Sequence, residues 1–475
     1  MMTSDPKLIK NILIKNFHIF CNSSLTLLTP VDHPIYRHVI DNSGDQCWQR
    51  MISIIRTLFS VKNLKSLADN KLGKNLCNLI KSMDEMVGHK SAPDTGIVVD
   101  IRQLFVNQSI DLLGSVMFSW KQQQQHNTYN DYPNSDKLSK IINSLVFPSK
   151  WRILCLLVLP KFILQVLDMS NLLPNKTLDM FAELMIDEFD KRLILSANNN
   201  TNNICDDFYQ QLLNRCPDFN KSLTIVNNKV SAIDDNIDDE VNNKKSIDEI
   251  YSQTMDQILS KEEVMGNMLS LSQGIYVGHS VTMTYIIYEL AINTDCQQKC
   301  YDELIATNCW DSRINGQLLF DWETVDKLDY LNACISETLR LHPAVNRDGR
   351  VANQDYIEET TGVTIKKGQE IQYSLSALQQ CPDYYRMPDQ FIPDRFLKHN
   401  KHLLIDSAYL PFGLGRRMCP GYKFALMAIK LTMAHLLIRY KFVAIDGQTV
   451  LKTDPIVDNY IQCPEKLFVK IEKRV

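Results

Sequence analysis

LPFGLGRRMCPGYKFALMAIKLTMAHLL, from Leu410 to Leu437, is a glycine-punctuated loop that runs into a helix starting near Pro420. Proline suits a first helical turn, where its missing N–H would have no intrahelical partner. Cys419 therefore sits just ahead of a helix N-terminus, where the dipole and free N–H groups favour a thiolate. Gly413, Gly415 and Gly421 permit tight turns and the close approach of a flat group. Arg417, two residues before the cysteine, can pair with a carboxylate, and Phe412 adds an apolar face. A lone cysteine ahead of an amphipathic helix is ordinarily a buried structural thiol. Three glycines, an arginine and an aromatic ring at fixed offsets argue instead for a sulfur that is deprotonated, held by backbone N–H groups and shielded from water.

The remainder of the 475 residues frames this loop. The chain is 45% hydrophobic and 22% charged, a globular composition with ample material for a large core. A net charge of −4 gives no reason to expect a nucleic-acid partner. The 13 cysteines are scattered and lack zinc-site pairing, so all but Cys419 read as reduced structural thiols. No secretory signal or membrane span is evident. The start reads as an amphipathic helix with Leu8, Ile9, Ile12, Leu13 and Phe17 on one face. WRILCLLVLPKFILQVLDM, Trp151 to Met169, reads as a buried helix pair broken at Pro160, with a membrane-dipping surface as the second reading.

Ser196 to Asp248 is rich in Asn and Asp and reads as a flexible surface insertion, within which FYQQLLNRCPDF can form a helical turn or two. A long helix is expected from Lys261 to Leu290, capped near Ser260, and another from Thr324 to Leu341. Short strands are expected between Val351 and Tyr373 and at Lys466 to Ile471.

FGLGRRMCPG, Phe412 to Gly421, resembles the haem-binding loop FxxGxRxCxG of the cytochrome P-450 family at every fixed position. Glu337 and Arg340 in SETLRLHP resemble the family's ExxR pair, and Arg395 in FIPDRFL resembles the third member of that structural triad. The resemblance implies a mainly α fold with small β-sheets, forming one domain over residues 1–475. It also implies an axial bond from Cys419 to the iron of haem b (iron protoporphyrin IX). Arg417, Arg350 and Trp48 match positions that hold the haem propionates, although Arg347 lies close enough to confuse the register. The arginine expected four residues after Trp48 is Ile52, with Arg50 nearby. Gln379 and Gln380 stand where the family often has His-Arg. The family's N-terminal anchor, first helix and first strands are not recognisable, which leads us to expect uncovered sheet edges and core.

The family's AGx(D/E)T(T/S) motif aligns with YVGHSVTMT, Tyr276 to Thr284, placing Gly278 and Thr282 on the oxygen side. Ser280 takes the acid position and Val281 the threonine position of this proton-delivering pair. The implied activity is a monooxygenase that inserts one atom of O2 into a small apolar organic substrate, with electrons from NADPH-cytochrome P-450 reductase. Residues 141–175 and the long helix would build an apolar pocket. Two alternatives stand beside it: a haem-thiolate isomerase or dehydratase needing no reductase, and an inactive product of a truncated gene. The implied location is the endoplasmic reticulum membrane surface, or the cytoplasm if no anchor holds the chain.

Overall fold

The computed structural model describes residues 1–23, 33–40, 45–88, 96–120, 135–146, 150–167, 169, 174–197, 207–220, 258–307, 320–359, 362–447, 449–451, 461 and 463–474. Strand β1 (Met2–Thr3) leads into α1 (Pro6–Lys10), capped by Asp5 and continued by a π-helical turn to Lys15. The apolar stripe predicted here is buried: Leu8, Ile9, Ile12 and Leu13 pack with Ile365, Ile371, Tyr373, Leu378 and Leu410. After β2 (Asn22–Ser23), the chain enters α2 (Asp45–Leu58), then β3 (Ile97–Asp100) and α3 (Ile101–Phe118).

Helices α4 (Lys150–Val158) and α5 (Lys161–Val166) meet at Pro160, as the sequence predicts. The expected burial of this pair is not found. Trp151, Val158, Phe162 and Val166 are 73%, 69%, 67% and 84% exposed, and Leu154 and Leu167 are exposed beside them. An apolar run reads the same from sequence whether it faces a core or leaves the molecule.

The surface-insertion boundaries also need correction. Helix α6 (Asn175–Ala197) is followed by α7 (Phe208–Leu213), inside the segment 196–248. Phe208, Tyr209, Leu212, Leu213, Cys216 and Phe219 belong to the main core. Arg192 holds Asp207 by two bonds (2.9 and 2.8 Å) and also donates to Gln210 Oε1 and the Phe118 carbonyl. Residues 207–220 are thus structural. A composition average over 53 residues conceals a short apolar helix between two polar runs. The rest of 196–248 lies outside the described residues apart from Ser196 and Ala197.

The longest helix, α8 (Lys261–Ile292), starts at the predicted cap: Ser260 and Glu263 exchange side-chain-to-backbone bonds of 3.2 and 2.9 Å. It is apolar nearly all round, as a helix buried through the middle of a domain must be. It packs on α3 and, after α9 (Thr294–Ala306), on α10 (Asp329–Leu341). The single helix expected over 324–341 is two pieces, Trp322–Asp326 and α10. Leu328 is extended, and the distant Glu303 carboxylate caps α10 by accepting the Tyr330 and Leu331 amides (2.8 and 2.9 Å).

Strands β4 (Arg347–Val351), β5 (Tyr356–Ile357), β6 (Thr364–Ile365) and β7 (Glu370–Ser374) precede the short α11 (Leu375–Gln379). Helix α12 (Tyr422–Leu437), β8 (Tyr440–Val443) and β9 (Phe468–Lys473) close the chain. The strands form sheets ordered β1-β7-β4-β2, β3-β9-β8 and β5-β6. Residues 1–23 supply both outer strands of the first sheet and a buried helical stripe. They cover much of what the sequence led us to expect uncovered.

Candidate cofactor site

Between Leu410 and α12 the loop takes its shape from glycine. Gly413 and Gly415 have φ of +75° and +78°, in the left-handed region that penalises a Cβ. At Gly415 a Cβ would also lie 2.3 Å from the Leu13 carbonyl oxygen. Helix α12 begins two residues later than the proline position suggests, with Gly421 as its cap. The Cys419 N–H donates to the Phe412 carbonyl (2.9 Å), which folds the cysteine back over the aromatic residue. Among the described cysteines, Cys419 alone is exposed.

The candidate cations gather around residues 21–23. Arg417 donates from Nε to the Cys21 carbonyl, and its guanidinium lies 4.4 Å from the ring centroid of Trp48, which is 4% exposed. Such stacking holds a cation in place while leaving its outer N–H groups aimable. Arg350 on β4 pairs in register with Ser23 on β2. Its Nη1 donates to Asp348 Oδ1 and to the Gly349 carbonyl (both 2.7 Å), while Asp348 Oδ2 accepts the Tyr373 hydroxyl (2.5 Å). Arg50 does not replace the arginine that Ile52 displaces. It binds Glu263 and the Ile258 carbonyl at the start of α8.

Glu337, Arg340 and Arg395 meet behind the loop, with the first two fully buried. Arg340 uses all five N–H donors: two on Glu337 (2.7 and 2.8 Å) and three on the carbonyls of Gln379, Pro388 and Gln390. Glu337 Oε1 also accepts from Arg395 Nε (3.2 Å) and the Ile392 amide (2.9 Å). A buried pair this fully satisfied is a packing device, and no reacting group need touch it.

On α8, a Cβ built at Gly274 or Gly278 would meet nothing within 4 Å, so the helix borders open space there. At 100° per residue, Val281 falls about 20° from Gly274, where it is buried at 2% exposure, and His279 about 140° away. Thr282 is only 2% exposed. The Ser280 hydroxyl donates to the Tyr276 carbonyl (2.6 Å), and Thr284 to that of Ser280 (2.7 Å). His279 is buried against α3, with Nδ1 3.1 Å from Ser109 Oγ, and burial lowers its pKa to about 4. Sequence reasoning gave no role to Cys21 or Gln379. The first acts through its carbonyl, which any residue carries, and the second through contacts with distant backbone.

An exposed, backbone-held cysteine, two glycines bordering open space, and an arginine stacked on a buried indole fit a flat, anionic, thiolate-ligated cofactor. The comparisons with known proteins agree. The Cytochrome P-450 family profile matches residues 1–470. The chain is 26% identical over 443 residues to cytochrome P-450 3A28 of Bos taurus, covering 92% of this chain and 75% of that one. It is 27% identical over 444 residues to cytochrome P-450 3A6 of Oryctolagus cuniculus (93% and 77%). It is 25% identical over 448 residues to cytochrome P-450 9b2 of Drosophila melanogaster (93% and 77%).

The fold and these likenesses define a haem-thiolate oxidoreductase, a monooxygenase by class. The chain belongs to the cytochrome P-450 family. That family implies a haem cofactor, O2 and an organic substrate, with electrons supplied by a redox partner. Among the described residues no helix is long and apolar enough to cross a membrane.

Proposed function

We propose that Cys419 is the axial ligand of a b-type haem and that the protein hydroxylates or otherwise monooxygenates an apolar substrate. The observation that carries this reading is the exposed Cys419, held by its amide to Phe412 and placed ahead of α12. The haem, when bound, supplies the activation of O2, and a thiolate ligand favours cleavage of its O–O bond. Arg417, steadied by Trp48, would hold one propionate. Arg350 would serve the other, exchanging its bond to Asp348. Gly278 leaves room for O2, and Thr282 supplies a hydroxyl at the edge of that space. An NADPH-dependent flavoprotein reductase would deliver the electrons. The apolar residues of α4 and α5 would rest on a membrane surface.

The test is the reduced, carbon-monoxide-bound spectrum of the unmodified protein and of Cys419→Ala. The thiolate-type band is expected in the first and lost in the second. A Cys419→Ala protein with a normal thiolate band would overturn the assignment. A second reading, isomerisation or dehydration of a peroxide, draws support from Val281 and the committed Ser280 hydroxyl, because such chemistry needs no delivered proton pair. Substrate turnover without a reductase would favour it.

A further inference from the structure

We propose that Gln379 is a positioning residue for the cysteine loop, tying its first residue to the end of α10 and thereby setting the Cys419 sulfur. Gln379 is fully buried at the C-terminus of α11. Its Nε2 donates to the carbonyls of Leu339 and Arg340 (3.0 Å each), and its Oε1 accepts the Leu410 amide (2.8 Å). Two of these partners are last-turn carbonyls of α10, which have no intrahelical donor. The third opens the loop. The Gln379 backbone carbonyl accepts Arg340 Nη1 (2.8 Å), so backbone and side chain both engage α10.

A continuous route of bonds leads from there to the cysteine. The Leu410 carbonyl accepts the Gly413 amide (3.0 Å), and the Phe412 carbonyl accepts the Cys419 amide (2.9 Å). Only a side chain with two N–H donors and a carbonyl on one planar head satisfies the three partners at once. Asparagine is too short, and a carboxylate lacks the donors. The neighbouring Gln380 reaches only the Leu341 carbonyl (2.8 Å) and is half-buried. Groups that orient a metal ligand from behind affect how tightly the metal is held. Gln379 stands in that relation to Cys419, and the inference rests on Cys419 being the ligand.

Gln297 provides a matched control. It is equally buried, donates to the Leu290 and Phe442 carbonyls (2.8 Å each), and accepts the Phe442 amide (2.9 Å), joining α9 to β8. Gln379→Met and Gln297→Met keep side-chain length and orphan three backbone groups each. Both should lower the melting temperature of the holoprotein. Only Gln379→Met should weaken haem affinity, by about tenfold, and shift part of the reduced, carbon-monoxide-bound Soret band away from its thiolate position. The proposal fails if Gln379→Met keeps both properties, or if Gln297→Met alters them as far. Should Gln379→Met not fold, Gln379→Glu retains the acceptor for Leu410 while losing the donors. With the tie to the Leu339 and Arg340 carbonyls cut, it should melt earlier and lose part of its thiolate band, and an unchanged band with unchanged haem affinity would overturn the proposal. Cys419→Ala, run in parallel, separates the two readings. A thiolate band surviving there refutes the ligand assignment, whereas one surviving only in Gln379→Met refutes the positioning role.

Discussion

Nδ1 of His279 and Oγ of Ser109 lie 3.1 Å apart across the contact of α8 with α3, and the imidazole is the donor. Ser109 has already given its hydroxyl hydrogen to the Phe105 carbonyl (2.7 Å), so its oxygen accepts. The ring is therefore the neutral Nδ1–H tautomer. His435 is fixed the same way, with Nδ1 on the Leu431 carbonyl (2.8 Å) and Nε2 accepting the Phe320 amide (3.3 Å).

These two rings predict acid lability. Burial lowers both pKa values from 6.5 to about 4. The unfolded chain then binds protons that the folded chain refuses, so stability is full above pH 6.5 and falls as pH drops toward 4. The gap is worth about 3 kcal/mol per histidine once pH is below the folded value. Urea midpoints measured from pH 7.5 to 4.5 should decline with this form, and His279→Gln should flatten the decline. An unchanged slope in that variant would remove His279 from the account.

Asp207→Ala should destabilise the fold by about 3 kcal/mol, because it leaves the buried Arg192 guanidinium to the more distant Glu188 carboxylate at 4.0 Å. The double variant Arg192→Met, Asp207→Leu should recover most of that loss. Equilibrium urea unfolding measures both. Equal stability of Asp207→Ala and the unmodified protein would return residues 207–220 to the periphery.

Val281→Thr should improve the coupling of electrons to product. Val281 lies on the side of α8 that carries Gly274 and Gly278 and is itself buried, while the Ser280 hydroxyl is committed to the Tyr276 carbonyl. A hydroxyl at position 281 places a proton donor on the side of the helix that borders Gly278. Peroxide released per NADPH, in a reductase-supported assay, should fall severalfold in Val281→Thr and further in Ser280→Asp, Val281→Thr. Tight coupling in the unmodified protein would show that Thr282 or solvent already suffices.

Trp151→Asp, Phe162→Asp and Val166→Asp should each loosen the hold on lipid. Burying one such side chain is worth about 1.5–3 kcal/mol, so co-sedimentation with phosphatidylcholine vesicles should drop about tenfold or more per substitution. The three side chains are so exposed that folding stability should hardly move. Unaltered sedimentation would mean that another surface binds lipid, or none.

Local chemistry was readable in advance and distant partnership was not. The bend before Cys419 follows from glycines whose φ no other residue adopts cheaply, and the start of α8 from a cap written in four consecutive residues. The Glu337–Arg340 pair lies within one helical turn, so its spacing alone announced it. By contrast, the break at Leu328 depends on Glu303, and Gln379 depends on Leu410, partners that become neighbours only in the folded chain. The outward face of α4 and α5 was illegible for a different reason. Periodicity records which side of a helix is apolar, and carries nothing about what lies opposite.

Arg340 also bears on the order in which the chain assembles. Its three carbonyl partners, at Gln379, Pro388 and Gln390, lie 39, 48 and 50 residues away. A guanidinium cannot leave water for a fully enclosed position until its acceptors have arrived, because each unmet donor carries a desolvation penalty. Residues 379–395 must therefore close over α10 as one cooperative unit, with no stable half-docked state. In native-state hydrogen exchange, the amides of Ile392 and Leu410, whose acceptors are Glu337 and Gln379, should share one opening free energy and report a single late event of folding.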